Sequence, residues 1–207
     1  MIKKTIIGLV LVASLGFGST IEDGLEAYKN KDFKTALPIF EEFSKKGNEE
    51  AQINLGFMYH NEIGVKQDYK KAFELYEKAA KKGNPIAQNN LANMYYEGEG
   101  VEKDYKKAAV WVEKSANQGF KYAQYKLGVM YEFGEGVEKD YKKAFELYEK
   151  AANQGHSIAQ NNLGLFYYHG RGVNKDKKKA IKLLSDSCNG GFQNCCRNFY
   201  AAINEKD

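Results

Sequence analysis

A period of 36 residues runs through most of the chain and restricts the folds that the sequence can adopt. Four ungapped blocks follow one another, each opening with an Ala-Gln pair and closing with a glycine. The opening alanines are Ala51, Ala87, Ala123 and Ala159, and the closing glycines are Gly83, Gly119, Gly155 and Gly191. Tandem units of this length form solenoids, in which each unit buries its apolar face against its neighbours. The period therefore predicts one elongated domain, which we place at residues 19–207.

Within a block, the apolar residues follow the period of an α-helix. In the block that opens at Ala51, one helical face of the first stretch carries Ala51, Leu55, Met58 and Tyr59. One face of the second stretch carries Ala72, Leu75, Tyr76 and Ala79. Residues at this spacing form the buried stripe of an amphipathic helix. The sequence therefore predicts an all-α fold, an α-solenoid of tandem helix-turn-helix repeats.

The residues between the stripes fit turns and helix caps. Gly64 can adopt a positive φ without a Cβ clash, and Asp68 is placed to cap the second helix. Gly83 follows two lysines, as expected of a left-handed residue that ends a helix. Glu62 stands where the other blocks carry a glycine, which predicts a less tight loop in this block. Those glycines are Gly98, Gly134 and Gly170.

Three of the first helices contain an internal glycine, at Gly56, Gly128 and Gly164, while the remaining block has Ala92 in the same place. A glycine inside a helix costs about 1 kcal/mol relative to alanine. We expect a neighbouring helix to approach closely at these positions, because close packing would offset that cost.

The order of these residues resembles the Sel1-like repeat, a relative of the tetratricopeptide repeat. Residues 123–155 match it almost throughout, with Ala-Gln-x-x-Leu-Gly-x-x-Tyr, Gly-x-Gly-Val, Asp-Tyr-x-Lys-Ala and Lys-Ala-Ala-x-x-Gly in order. The resemblance covers about residues 49–191 and implies four Sel1-like repeats.

The segments on either side of the four repeats are expected to be helical as well. Residues 20–47 look like a tetratricopeptide-like pair that lacks the Gly-x-Gly-Val loop. Pro38 lies inside the second helix of this pair and predicts a kink or a later helix start. The segment from Phe192 to about Ile203 is expected to form a single helix that caps the last repeat.

Residues 1–18 have the composition of a secretory signal peptide. Lys3 and Lys4 precede an apolar run from Ile6 to Leu15, and small residues come before Ser19. The alternative is an uncleaved N-terminal anchor, although the segment is short for a stable membrane span. We expect an exported protein, periplasmic or secreted, with no stable membrane insertion after cleavage.

The charge balance does not favour nucleic acid as a partner. Without residues 1–18 the chain has 29 basic and 27 acidic residues, a formal charge of +2. Proteins that bind nucleic acid usually carry a strong basic patch, whereas the lysine pairs here fit solvated helix faces. The sequence indicates no oligomeric state.

All three cysteines lie at the last repeat junction, at Cys188, Cys195 and Cys196. A disulfide is expected in an exported protein. The separation of Cys188 and Cys196 resembles the repeated bridge of the Helicobacter cysteine-rich proteins, a secreted branch of the Sel1 family, and this resemblance favours their pairing. Spacing alone also allows Cys188 to pair with Cys195, which occupies the slot of a small core alanine.

One face of the first helices changes from block to block while the core stripe repeats. We predict that these variable residues bind a protein or peptide, because solenoids stack such faces into a continuous surface. An ordinary solvated face is the alternative. The candidate binding residues are Ile53, Phe57, His60, Asn89, Asn93, Tyr96, Tyr125, Val129, Glu132, Asn161, Leu165 and Tyr168.

No catalytic motif or metal-ligand spacing is present in the sequence, so we predict no catalytic residue, metal or cofactor. His60, His156 and His169 are interpreted as ordinary surface or loop residues. An alternative function comes from resemblance alone, because members of the cysteine-rich branch have been credited with binding or slowly hydrolysing β-lactams. Enzymatic activity is therefore left open at this point.

Overall fold

The computed structural model describes residues 18–190 and 193–204, and within them it contains eleven helices and no strand. The predicted signal peptide therefore lies outside the described residues, except for Gly18. The helices are α1 Ile21–Lys29, α2 Phe33–Lys45, α3 Glu49–His60, α4 Tyr69–Lys81, α5 Pro85–Glu97, α6 Tyr105–Asn117, α7 Lys121–Phe133, α8 Tyr141–Asn153, α9 Ser157–His169, α10 Lys177–Asn189 and α11 Gln193–Asn204.

Each helix packs mainly against the helices that precede and follow it in the chain, and α11 also packs on α9. The four repeats correspond to the hairpins α3–α4, α5–α6, α7–α8 and α9–α10, with α1–α2 before them and α11 after them. This nearest-neighbour packing confirms the predicted all-α solenoid with a terminal capping helix. Its stability is spread along the stack because each hairpin depends on the next.

An aspartate begins each second helix of the four repeats, as predicted. The Asp68 carboxylate accepts a 3.0 Å hydrogen bond from the Lys71 amide. The same cap occurs at Asp104, Asp140 and Asp176. Such caps satisfy an orphan amide and place negative charge at the positive end of the helix dipole.

In each repeat, the lysine whose backbone amide donates to the capping aspartate also places its side-chain ammonium over the repeated tyrosine of the preceding first helix. The Nζ of Lys71 lies 4.9 Å from the ring centroid of Tyr59. The pairs Lys107–Tyr95, Lys143–Tyr131 and Lys179–Tyr167 repeat this contact. Tyr59 lies on the predicted stripe and packs against two core clusters, but its ring is only half-buried because one face meets a cation.

The internal glycines do lie at close helix contacts. A Cβ added to Gly56 or Gly128 would come within 2.8 Å of a tyrosine ring, that of Tyr76 or Tyr148 respectively. In the repeat with Ala92, the residue at the facing position is Val112, which is smaller than tyrosine and fully buried. The predicted close approach is confirmed, and its partner is the second helix of the same repeat.

The loop at Glu62 has one backbone hydrogen bond fewer than the others, in line with the expected less tight loop, because the bond from the Gly98 amide to the Met94 carbonyl has no counterpart from the Glu62 amide to Met58. Glu62 adopts φ of 57°, close to the left-handed values of the equivalent glycines. The Ile63 amide donates to the Met58 carbonyl at 3.0 Å, just as the Glu99 amide donates to Met94. A side chain is thus held in a backbone conformation that favours glycine.

Near the N-terminus, α2 begins at Phe33 and runs through Pro38 to Lys45. The alternative of a later helix start is therefore wrong. Asp32 caps this helix through the Thr35 amide, as the repeat aspartates do. Phe40 on the same helix is fully buried and joins the first core cluster.

The glutamine of each Ala-Gln pair ties its helix to the end of the preceding one. The side-chain amide of Gln160 donates to the Ala152 carbonyl at 3.4 Å, eight residues earlier in the chain. Gln52, Gln88 and Gln124 make the same bond. At the last junction the corresponding positions are Cys196 and Cys188, which form a disulfide, while Cys195 is a buried free cysteine. The disulfide thus replaces a repeated hydrogen bond.

Candidate functional site

The first helices line three neighbouring clefts. The first, which we call the lysine cleft, has a volume of about 660 Å³ and lies between α5, α7 and the start of α9. The second, the glutamate cleft, has a volume of about 790 Å³ and lies between α1, α3 and α5. A third of about 180 Å³ shares residues with both. Asn90 lines all three, so we treat them as one continuous surface and call it the groove.

Half of the predicted binding residues lie in the groove. They are Ile53, Phe57, His60, Asn89, Asn93 and Tyr125. The other six lie outside these three clefts and are Tyr96, Val129, Glu132, Asn161, Leu165 and Tyr168. The groove also contains side chains from the first turn of α5 and α7, such as Ile86 and Tyr122, which are 44% and 51% exposed. Sequence reasoning missed these two because it considered only the middle of each first helix.

Three of the predicted residues take part in links between successive repeats. His60 Nε2 donates to Glu99 at 2.7 Å, and the Tyr96 hydroxyl donates to Glu135 at 2.6 Å. In the next link the donor lies in the loop and the acceptor on the first helix, and Arg171 donates to Glu132 at 3.1 Å. Each link joins the end of a first helix to the loop 39 residues later. His60, Tyr96 and Glu132 therefore help to hold neighbouring repeats together.

Glu132 is only 8% exposed, so its charge must be compensated inside the protein. The Tyr148 hydroxyl donates to it at 2.7 Å, in addition to the bond from Arg171. Burial and the neighbouring Glu132 carboxylate raise the pKa of Tyr148, which keeps the phenol protonated and able to donate. Glu132 is thus the centre of a buried network and is not available as a free binding group.

His156 lies in the loop before α9, as one of its two interpretations predicts, but it is only 8% exposed, caps the helix and lines the lysine cleft. Its Nδ1 accepts a 3.1 Å hydrogen bond from the Ala159 amide, which requires that nitrogen to be unprotonated. The ring stacks on Tyr125, with centroids 4.7 Å apart. Burial, and then the charge of Lys121, lower the pKa of His156. A sequence signal existed, because Asn48 and Asn84 cap α3 and α5 from the same slot.

The lysine cleft has two cations on its wall. Lys126 Nζ lies 3.5 Å from the ring centroid of Tyr96, and burial lowers the pKa of this lysine although Glu97 and Glu135 act in the opposite direction. Lys121 Nζ donates to the Gln154 carbonyl at 3.4 Å. Neither forms an ion pair with a carboxylate in the described residues. The wall is therefore positively charged.

The part of the chain that the structure describes contains no cluster of three or more His, Cys, Asp or Glu residues able to hold a metal ion. Within the same residues, none of the helices has the length and apolarity needed to cross a membrane.

Comparisons with known proteins agree with this architecture. A Sel1 repeat protein from Oxalobacter formigenes is 36% identical, with a TM-score of 0.83, over 88% of this chain and 75% of its own. The protective antigen c5321 of uropathogenic Escherichia coli, which has an SLR fold, is 33% identical with a TM-score of 0.80, over 86% of this chain and 39% of its own. Helicobacter pylori cysteine rich protein B is 29% identical with a TM-score of 0.50, over 64% of this chain and 96% of its own. No curated protein sequence matches the chain.

The Sel1 repeat family model matches residues 49–84, 85–120, 121–156 and 157–192. Each match covers one hairpin, from α3–α4 to α9–α10, and together they span more than half of the chain. The chain belongs to the Sel1 repeat family.

Proposed function

We propose that this protein is an exported scaffold that binds an extended protein or peptide segment along the groove. The observation that carries the proposal is the continuity of the clefts through Asn90, which gives the first helices of several repeats one shared surface. Repeat surfaces of this kind suit extended partners, because successive units can contact successive residues of a chain.

The side chains of the groove fit such recognition. Phe57, Ile86 and Tyr122 are between 42% and 51% exposed, although large apolar side chains are usually covered. The amides of Asn90 and Asn93 lie on the same surface and can pair with peptide backbone groups, whereas Asn89 is buried at 9% exposure. Exposed apolar anchors beside adaptable amides are typical of protein-binding surfaces.

The links between repeats support a groove that is formed before the partner arrives. His60–Glu99 and Tyr96–Glu135 fix the angle between neighbouring hairpins from outside the lysine cleft. Less ordering is then needed on binding, which favours affinity. The six predicted residues that line the groove remain proposed contacts of the partner. Of the six outside it, Tyr96 and Glu132 are proposed to act through the shape of the stack, and no role is proposed for the other four.

Binding can be tested with a photoreactive amino acid introduced in living cells. We expect probes at Phe57 and Tyr122 to crosslink to neighbouring parts of one partner segment, mapped by mass spectrometry. A probe at Val110, which is 52% exposed on α6 and lines none of the three clefts, is the matched control. Absence of capture in the groove, or equal capture at Val110, would contradict the proposal.

Export rests on the composition of residues 1–18 and on the Cys188–Cys196 disulfide, since disulfides persist mainly in oxidising compartments. Cell fractionation combined with thiol labelling tests the proposed export. We expect the extracytoplasmic protein to lack residues 1–18 and to expose one reducible disulfide. A full-length chain in the cytoplasm with three free thiols would contradict export. The β-lactam alternative is not proposed, because no observation in the described residues favours it.

A further inference from the structure

The two large clefts of the groove carry opposite charges. The lysine cleft is lined by Lys121 and Lys126 and by no acidic residue. The glutamate cleft is lined by Glu49 and Glu50 and by no basic residue. The surface between them is neutral, with Asn90 common to both. The charge of the groove therefore changes sign along the stack of first helices.

None of these four charged side chains forms an ion pair within the described residues. Some lysines outside the groove do form ion pairs, as Lys71 does with Asp68 and Lys81 with Glu77. Lys126 lies against an aromatic face and Lys121 against a carbonyl, and Glu97 and Glu135 attract Lys126 from outside the cleft without forming an ion pair with it. An approaching carboxylate would supply what the lysine cleft lacks.

The glutamate cleft is suited to a long basic side chain. Leu25, Ile53 and Phe57 provide an apolar wall beside the two carboxylates. Lysine and arginine side chains pack their methylene stems on such surfaces while the charged end reaches a polar group. This cleft can therefore hold both the stem and the charge of a basic residue.

We propose that the groove selects an extended peptide segment that places an acidic side chain in the lysine cleft and a basic side chain in the glutamate cleft. This inference rests on the proposed function and adds the chemistry and orientation of the partner. Successive first helices lie roughly one helix diameter, about 10 Å, apart, so α3 and α7 are separated by about 20 Å. An extended chain covers that distance in about six residues.

Selection of ten-residue peptides from a random display library on the purified protein tests the proposal. We expect enriched peptides to carry an acidic and a basic residue about six positions apart. For a selected peptide, the double variant Lys121→Gln and Lys126→Gln is expected to weaken binding by at least about tenfold. The loss should be much smaller when the acidic residue of the peptide is replaced by its amide.

The double variant Lys106→Gln and Lys142→Gln is the matched control, since it removes the same charge from exposed positions outside the groove. The double variant Glu49→Gln and Glu50→Gln should likewise weaken binding of the peptide. The loss should be much smaller when the basic residue of the peptide is replaced by a neutral one. Circular dichroism of each variant checks the fold, because these acids also lie in the first turn of α3.

The outcomes separate the two proposals. Peptides that crosslink to a probe at Tyr122 but show no charge pattern, or that respond equally to the control variant, would overturn the charge-based selection and leave groove binding intact. Failure to enrich any peptide that crosslinks in the groove would overturn both.

Discussion

Gly164 on α9 lies directly against Leu184 on α10, so that a Cβ added to the glycine would come within 2.9 Å of the leucine Cγ. The Ala180 carbonyl lies 3.2 Å from the same point, which limits any movement of the helix backbone. The hairpin is therefore packed as closely as the absence of a side chain at this position allows. The equivalent pair in the second repeat is Ala92 and Val112, where an added methyl group faces a shorter residue.

We expect Gly164→Ala to lower the free energy of unfolding by about 1–2 kcal/mol, because overpacking outweighs the gain in helix propensity. Adding Leu184→Val recreates the Ala92–Val112 combination and should recover about 1 kcal/mol relative to the sum of the single changes. Urea-induced unfolding of the four proteins in this cycle measures the coupling. Strict additivity would show that the two side chains do not compete for space.

Glu62→Gly is expected to stabilise the protein by about 0.5–1 kcal/mol. Glu62 has a φ of 57°, and a non-glycine residue in the left-handed region costs about 1–2 kcal/mol. The greater freedom of glycine in the unfolded chain removes part of that gain. Thermal unfolding checks the change, and Gly98→Glu in the next repeat is the matched control, expected to lower the midpoint. A lower midpoint for Glu62→Gly would contradict the expectation.

Stability should fall in mildly acidic solution because of His156. Burial and Lys121 lower the pKa of the folded group below its usual value of 6.5, so the unfolded chain takes up the proton first as the pH falls. The contribution of His156 to the free energy of unfolding is therefore complete above about pH 6.5 and is lost as the pH falls from there to the lowered pKa. Protonation also removes the Nδ1 acceptor that caps α9.

His156→Asn isolates this effect, because asparagine caps α3 and α5 from the same slot and does not titrate. We expect the variant to lose less stability than the wild type between pH 7.5 and pH 5, as measured by thermal unfolding at each pH. His60 and His169 are present in both proteins and cancel in the comparison. Identical pH profiles would rule out a contribution from His156.

The positions within a repeat could be predicted from the sequence because they depend on local rules. The Asp68 cap and the left-handed Gly83 follow from helix ends, and the tight contact at Gly56 follows from the cost of glycine in a helix. These features need only the 36-residue register. Each was found at the predicted place.

Contacts between repeats could not be predicted in the same way. The bond between His60 and Glu99 joins residues 39 apart, and whether they meet depends on the rotation from one hairpin to the next. That rotation is set by packing of whole helices, which no short motif records. For this reason the sequence placed Glu132 on an open binding face, whereas the structure buries it beneath Arg171.

The Cys188–Cys196 disulfide is expected to stabilise α11 against local unfolding. Closing a loop of this length contributes about 2–3 kcal/mol by restricting the unfolded chain. In the double variant Cys188→Ala and Cys196→Ala, α11 should lose that protection, since it packs mainly on α9 and α10. Amide hydrogen exchange of Gln193–Asn204 measures this directly, with α5 as an internal reference that should not change.

A second variant, Cys188→Ala with Cys196→Gln, separates the covalent bond from the contact it replaces. It recreates the pair formed by Ala152 and Gln160, where the glutamine amide donates to the alanine carbonyl. One such hydrogen bond contributes about 0.5–1.5 kcal/mol. We therefore expect protection of α11 between that of the wild type and that of the double alanine variant. Protection equal to the double alanine variant would mean that the last junction does not share the geometry of the earlier ones.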